Sequence, residues 1–163
     1  MLDETEIRNA KPSDVDAIIE LWKKLMNLCD SFNSIWKTSP DAETIYRNGM
    51  KNYFEKHQSI AFFFLAEDKA TSSIDGYISG YFAPKYDPLF TLGKYGKILA
   101  IYVRESHRNK KLGTRLVDEV KKWYTNHDIN EIHLDVATSN SVGLSFWKKL
   151  GFTPFNKQMF YRQ

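Results

Sequence analysis

Ile101-Tyr102-Val103-Arg104-Glu105-Ser106-His107-Arg108-Asn109-Lys110-Lys111-Leu112-Gly113-Thr114 is the stretch on which the reading of the whole chain turns. Alternation around Ile101 and Val103 marks the end of a strand over residues 94–103. From Gly113 the spacing Leu116, Val117, Val120, Trp123, Tyr124 specifies an amphipathic helix, with Asp118, Glu119, Lys121 and Lys122 on its other face. Between strand and helix, Arg104, Arg108, Lys110, Lys111 and Arg115 crowd the helix start. Such a turn points backbone N–H groups and the positive end of a helix dipole outward together, which suits a phosphate-bearing anion. A solvated basic turn is the competing reading of the same residues.

Downstream, residues 126–130 break the helix and Ile132, Leu134 and Val136 alternate as a strand. Strand, basic turn, helix and strand form a crossover unit, so the two strands are expected to be parallel. Ser139 is placed to cap a last helix carrying Val142, Phe146, Trp147 and Leu150 on one side and stopped by Gly151. Residues 152–155 and 158–162 read as two closing strands. Upstream, residues 6–10 form a short strand, and Pro12 opens a helix with Asp14 and Asp16 in its first turn, running to about Asp30. Ser39-Pro40-Asp41 opens a second helix that ends near His57. The aromatic run Ile60-Ala61-Phe62-Phe63-Phe64-Leu65-Ala66 reads as a buried strand, paired in a hairpin with residues 76–83, and residues 84–93 are a loop. Without repeat, low-complexity tract or linker, residues 1–163 are expected to be a single α/β domain with a mixed sheet.

Composition narrows the function classes. A chain of 163 residues with 42% hydrophobic and 15% aromatic residues supports one core. No run approaches the roughly 20 apolar residues of a membrane span, and the first ten residues lack a secretory pattern, so a cytoplasmic protein with no membrane partner is expected. Cys29 is the only cysteine, which excludes an internal disulfide and, with four histidines, a structural zinc cluster; no metal is expected. The spacing Ile18, Leu21, Trp22, Leu25, Cys29, Phe32 puts that cysteine on the buried side of the first helix. A net charge of +3 without an aromatic-basic motif argues against nucleic acid as a partner.

The order strand, basic turn, helix, strand, Ser139-Asn140, then Phe146-Trp147-Lys148-Lys149-Leu150-Gly151-Phe152 resembles the GNAT superfamily of acyl-CoA-dependent N-acetyltransferases. The resemblance covers most of the chain and is most specific over residues 98–152; Ile7-Arg8-Asn9-Ala10-Lys11-Pro12-Ser13-Asp14 also looks like the start of such proteins. It implies a GNAT-like α/β (α+β) fold, with a mixed, mostly antiparallel sheet of about six or seven strands flanked by about four helices. It further implies acetyl-CoA as donor, an amine as acceptor, and leaves room for a homodimer. The family turn reads Arg or Gln, two residues, Gly, one residue, Gly or Ala. Arg108 and Gly113 match it, but Lys111 stands where the first glycine belongs. Glycine there lets the backbone approach the pyrophosphate, so Lys111 is expected to weaken or shift cofactor binding, with its ammonium compensating in part. By the same resemblance, the amides of Ile101 and Val103, on either side of Tyr102, hold the pantetheine arm as an added strand. Arg108, Asn109, Lys110, Lys111, Leu112, Gly113 and Thr114 wrap the pyrophosphate, and Asn140 contacts the cofactor near the pantetheine. Read from position alone, Asn140 is a helix-start hydrogen bonder.

A lysine-type amine, with pKa of about 10.4, must shed a proton before it attacks a thioester. Asp135, in Ile132-His133-Leu134-Asp135-Val136, matches the acidic general base of the ribosomal-protein N-terminal acetyltransferases, which this strand resembles. Direct or water-mediated abstraction requires burial to raise its pKa; as a structural carboxylate Asp135 would instead anchor a neighbouring strand. His133 shares its face by strand periodicity and is the second candidate. The family tyrosine that protonates the departing sulfur is replaced by Trp147, whose indole donates a hydrogen bond but no usable proton. Trp147 is therefore expected to pack beside the pantetheine, which leaves the general-acid role open to water or to Tyr161 or Tyr124, and the resemblance suggests the Ile101 amide as oxyanion donor. Asp30, Asp41 and Glu43 are candidates to attract a cationic acceptor, and Phe32, Trp36, Tyr86 and Phe90 to line its pocket, with ordinary surface acids and loop aromatics as the competing reading. The expected reaction is direct attack in a ternary complex; the alternative, suggested by Lys111 and Trp147, is a non-catalytic acyl-CoA-binding module.

Overall fold

The aromatic run that reads as a buried strand is apolar from Ala61 to Ala66 because that part is covered on both faces, whereas Ile60 before it is exposed. In the computed structural model, which describes residues 4–32, 37–83, 93–161 and 163, it lies inside a sheet with helices on either side. Strands β1 (Thr5–Asn9), β2 (Ala61–Asp68), β3 (Ile74–Ala83), β4 (Tyr95–Val103) and β5 (Ile132–His133) lie side by side in chain order. The first four are antiparallel neighbours, and β5 runs parallel to β4. Helix α1 (Val15–Phe32), entered through a 3-10 turn at Pro12–Asp14, and helix α2 (Ala42–Asn52), continued by a π-helical turn at Tyr53–His57, cover one face. Helices α3 (Leu112–Asn126) and α4 (Ser141–Lys149) cover the other.

Phe62, Phe64 and Ala66 of β2 pack towards α3 and α4, while Phe63 and Leu65 pack towards α1 and α2. Tyr124 of α3 is fully buried and its hydroxyl donates to the Tyr81 carbonyl at 3.0 Å. It reaches that depth because β4 has no side chain at Gly96, where a Cβ would sit 2.4 Å from the tyrosine ring. At the amino end, Arg8 on β1 grips both carboxylate oxygens of Asp14, at 2.7 and 2.9 Å, and also pairs with Glu67 on β2. The bidentate pair holds the Asp14 carboxyl below its usual range and fixes the angle at which the chain enters α1.

Four expectations change. Five strands are present among the described residues where six or seven were expected. Residues 152–161 carry no strand, and Phe155, Met159, Phe160 and Tyr161 are exposed. Pro154 interrupts the donor row of the first expected strand, and Met159, Phe160 and Tyr161 stand consecutively, without the alternation a one-sided strand needs. The strand expected over residues 132–136 keeps only two ladder positions, Gly96 opposite Ile132 and Lys97 opposite His133. Cys29 is exposed, not buried: Ile18, Ile19, Leu21 and Trp22 meet the core and Leu25 and Met26 pack partly against it, but Asn27, Leu28 and Cys29 beyond them are exposed. No helix among the described residues is long and apolar enough to cross a membrane.

Candidate active site

The site begins with a change of phase inside β4. Before the change, the Gly96 N–H donates to the Glu131 carbonyl at 2.8 Å, on the β5 side. Beyond it, the Arg104 N–H donates to the Asp75 carbonyl at 2.8 Å, on the β3 side. Unbroken alternation would send the amides of residues 96 and 104 the same way. The extra residue is Leu99: Ile98 pairs with Gly80 and Ala100 with the adjacent Ser79, leaving Leu99 without a partner and 62% exposed. Counting back from Arg104, the amides of Tyr102 face β3 and those of Ile101 and Val103 face away from it. On that side the β5 ladder has already ended at Lys97, so the last third of β4 presents an open edge.

The turn after β4 closes this edge with positive potential, but its basic residues divide the work. Arg104 is committed to structure, donating to both oxygens of Glu20 at 2.9 and 3.3 Å and to the Ile74 carbonyl at 2.9 Å. Arg104 and then Lys24 lower the Glu20 pKa to about 2. Arg115 turns away and donates to the Thr5 carbonyl at 2.6 Å. Arg108 stays at the edge, donating to the Val103 carbonyl at 3.2 Å with its guanidinium 5.5 Å from the Tyr102 ring centre. Lys110 and Lys111 are exposed. Asn109 and Lys111 both adopt left-handed backbone, with φ of 62° and 60°. The position where the family carries glycine thus has the conformation glycine favours, and a lysine bears its cost, roughly 1 kcal/mol. Lys111 is the residue before α3 and makes no side-chain cap, which leaves the amides of the helix start turned outward. Leu112 is buried in the core, and Gly113 faces inward: a Cβ there would lie 3.3 Å from the Phe146 ring. Asp75, which the sequence reading passed over, anchors the turn from beneath. It is 2% exposed, accepts from the Ser73 hydroxyl at 2.9 Å and lies 3.5 Å from His107 Nε2.

Asn140, not Ser139, caps α4: its Oδ1 accepts the Gly143 N–H at 2.8 Å, while the Ser139 hydroxyl donates to the Phe32 carbonyl at the end of α1, 2.8 Å away. Trp147 is 8% exposed and stands between Phe146 and Phe152, each ring centre 5.0 Å away. It belongs to the cluster against which Ile101, Val103, Leu134 and Val136 pack, where β4 and residues 134–136 part. Tyr124 is a member of the same cluster, but neither substitute acid offers a hydroxyl at that parting. Tyr124 spends its hydroxyl on Tyr81 in the core, and burial raises its pKa; Tyr161 is 87% exposed in the carboxy-terminal segment.

Across the sheet, on the α1 and α2 side, a second group gathers at the last rung of the β4–β5 ladder. Asp135 is 90% exposed, so the burial that direct or water-mediated proton abstraction required is absent; its Oδ2 is held at 2.5 Å by Lys97 Nζ. His133 is sheltered, with Nε2 at 2.7 Å from Glu131 Oε1 and its ring against Tyr95 and Phe155. His133 and Asp135 therefore share a region but each has a partner of its own. Two of the three acids expected to draw a cation are engaged: Asp30 accepts from the Thr38 amide and hydroxyl, both at 3.0 Å, and Glu43 pairs with Lys23 and Arg47. Asp41 precedes α2 without a capping bond, Phe32 is half-buried, and Trp36, Tyr86 and Phe90 lie outside the described residues. A cavity of about 600 Å³ opens beside the free half of β4, lined by Lys24, Leu28, Ser31, Tyr102, Arg104 and Glu105.

This arrangement, an open strand edge running into an uncapped helix start, coincides with a family match. The sequence pattern of the Acetyltransferase (GNAT) family matches residues 21–152. The chain is 30% identical over 159 residues to an N-alpha-acetyltransferase of Sulfurisphaera tokodaii, covering 91% of this chain and 80% of that protein. It is 26% identical over 151 residues to a spermidine N(1)-acetyltransferase of Thermoplasma acidophilum, covering 90% and 87%. Its fold matches that of the aminoglycoside N-acetyltransferase AAC(6')-Iy in complex with CoA, with a TM-score of 0.74 at 19% identity, covering 98% and 94% of the two chains. The chain belongs to the acetyltransferase (GNAT) family, and is an N-acetyltransferase that takes its acetyl group from acetyl-CoA.

Proposed function

We propose that acetyl-CoA lies along the open half of β4 and that an amine held on the α1 and α2 face attacks its thioester directly, in a ternary complex. The outward amides of Ile101 and Val103, continuous with the uncapped start of α3, carry this reading. An extended pantetheine arm accepts from those amides as an added strand would, passing Tyr102, whose ring supports Arg108. The diphosphate meets the amides of the turn from Arg108 through Asn109, Lys110, Lys111, Leu112 and Gly113 to Thr114, with the ammonium groups of Lys110 and Lys111 adding charge from solvent. Asn140 orders the start of α4 beside the arm, and Trp147 forms its apolar wall from below.

Asp135 draws the acceptor's ammonium to the strand split, where solvent is open to take the ammonium's proton. His133 is the second proton carrier, reached through Glu131. As the amine adds, negative charge gathers on the thioester oxygen, and the Ile101 amide meets it. Thiols titrate near 8.5, so the sulfur leaves as thiolate and takes its proton from water without a tyrosine at position 147. The relatives point to two acceptors to try first, a peptide with a free α-amine and spermidine. Following free thiol while acetyl-CoA is mixed with these amines tests the proposal. Saturable thiol release with one of them is expected; release no faster than thioester hydrolysis with every amine contradicts it.

A further inference from the structure

Lys97 is the lysine of β4, and β5 has none. It occupies the final rung of the β4–β5 ladder, opposite His133, two residues before the unpaired Leu99 where the strands part. Its stem is sheltered, with the side chain 23% exposed, yet its ammonium reaches out to Asp135, which is 90% exposed. The chain thus holds a primary amine of its own, 2.5 Å from the carboxylate assigned to the acceptor, at the point of the sheet where a donor on the open edge ends.

We propose that Lys97 is a site of self-acetylation, an inference that rests on the donor placement above. Neutral Nζ attacks the acetyl carbonyl carbon; the C–N bond forms, the C–S bond breaks, and the electron pair of that bond leaves on the CoA sulfur. Of the ammonium's three protons, one remains on the amide nitrogen, one ends on the thiolate, and one passes to solvent. The product is acetyl-lysine and CoA thiol, with no co-reactant beyond acetyl-CoA. Acetylation removes the cation from Asp135 and leaves that carboxylate to an incoming amine.

The test uses the full chain with excess acetyl-CoA and no added acceptor, followed by intact mass and peptide mapping over time. Lys97 should acquire an acetyl group at least about tenfold faster than Lys51, which is 74% exposed on α2, because the reacting groups are already together. The rate constant should not depend on protein concentration. Asp135→Asn, which loosens the hold on Lys97 Nζ, should slow Lys97 about tenfold or more without changing Lys51, and Lys97→Arg should abolish the fast phase. Modification of Lys97 no faster than Lys51, a rate that climbs with protein concentration, or an Asp135→Asn variant as fast as the parent would each overturn the inference. Thiol release with an added amine while Lys97 stays unmodified removes the self-acetylation alone; absence of both removes the catalytic reading beneath it.

Discussion

The two halves of β4 have the same neighbours in sequence and opposite duties. At Gly96 and Lys97 the strand is paired on both sides and pressed by Tyr124 from below; from Ile101 to Val103 it is paired on one side and offers amides on the other. One residue, Leu99, separates them. The closed half is held by contacts that cannot be removed without disturbing the core, whereas the open half keeps backbone donors that the fold itself does not use. A strand edge of this kind is an aggregation hazard in most proteins, and here Arg108 and the turn behind it shield its end.

The comparison breaks hardest in the closed half. Gly96→Val would drive a side chain into the Tyr124 ring, and a loss of about 3 kcal/mol or more is expected by chemical denaturation. Little change in stability would show that α3 can withdraw from β4. In the open half, Val103→Pro removes an N–H that β3 does not use. It should leave the melting temperature within a few degrees of the parent and weaken acetyl-CoA binding by about tenfold or more, read by calorimetry. Tyr102→Pro, one residue away, removes an N–H that faces β3 and should cost the fold instead. Equal behaviour of the two proline variants would erase the distinction between the edges.

Smaller effects sharpen the boundary of the open half. Lys111→Val places a β-branched residue at φ 60° and should lower stability by about 1–2 kcal/mol, while Lys111→Asn should be near neutral. Equal cost for both would mean that the turn relaxes out of the left-handed region. The smallest effect concerns Glu20 and Arg104, which tie the turn to α1. The Glu20 pKa is lowered from 4.5 to about 2, so its contribution is present above 4.5 and is lost as pH falls towards 2. Because Glu20 is largely exposed, this contribution is no more than about 1 kcal/mol; melts across that window should show it in the parent and not in Glu20→Gln.

The donor side was legible in the sequence because it is built from local order. The alternation ending at Val103, the basic turn and the amphipathic spacing from Leu116 to Tyr124 are contiguous, and the family resemblance singled out Ile101 and Val103. The bulge that aims them was not legible, since Leu99 is one apolar residue among several and only the pairing with β3 reveals it as extra. The acceptor side is assembled from distant positions. Lys97 and Asp135 meet across 38 residues, and nothing in either segment announces that the carboxylate would be exposed and already paired. The same holds for Asp75, a carboxylate buried beneath a turn thirty residues further along the chain. Charge counting misled in a similar way: five basic residues crowd the helix start, but Arg104 and Arg115 point to Glu20 and Thr5, and only the folded chain separates them from Arg108, Lys110 and Lys111.

The central claim is that the amides of Ile101 and Val103 are spare in the free protein and taken by the donor. Amide hydrogen exchange resolved by residue, with and without acetyl-CoA, measures this directly. Ile101 and Val103 should exchange readily in the free protein and become protected by about tenfold or more on binding, while Tyr102, already bonded to β3, should be slow in both states. Unchanged exchange at Ile101 and Val103 when acetyl-CoA is bound would contradict the account.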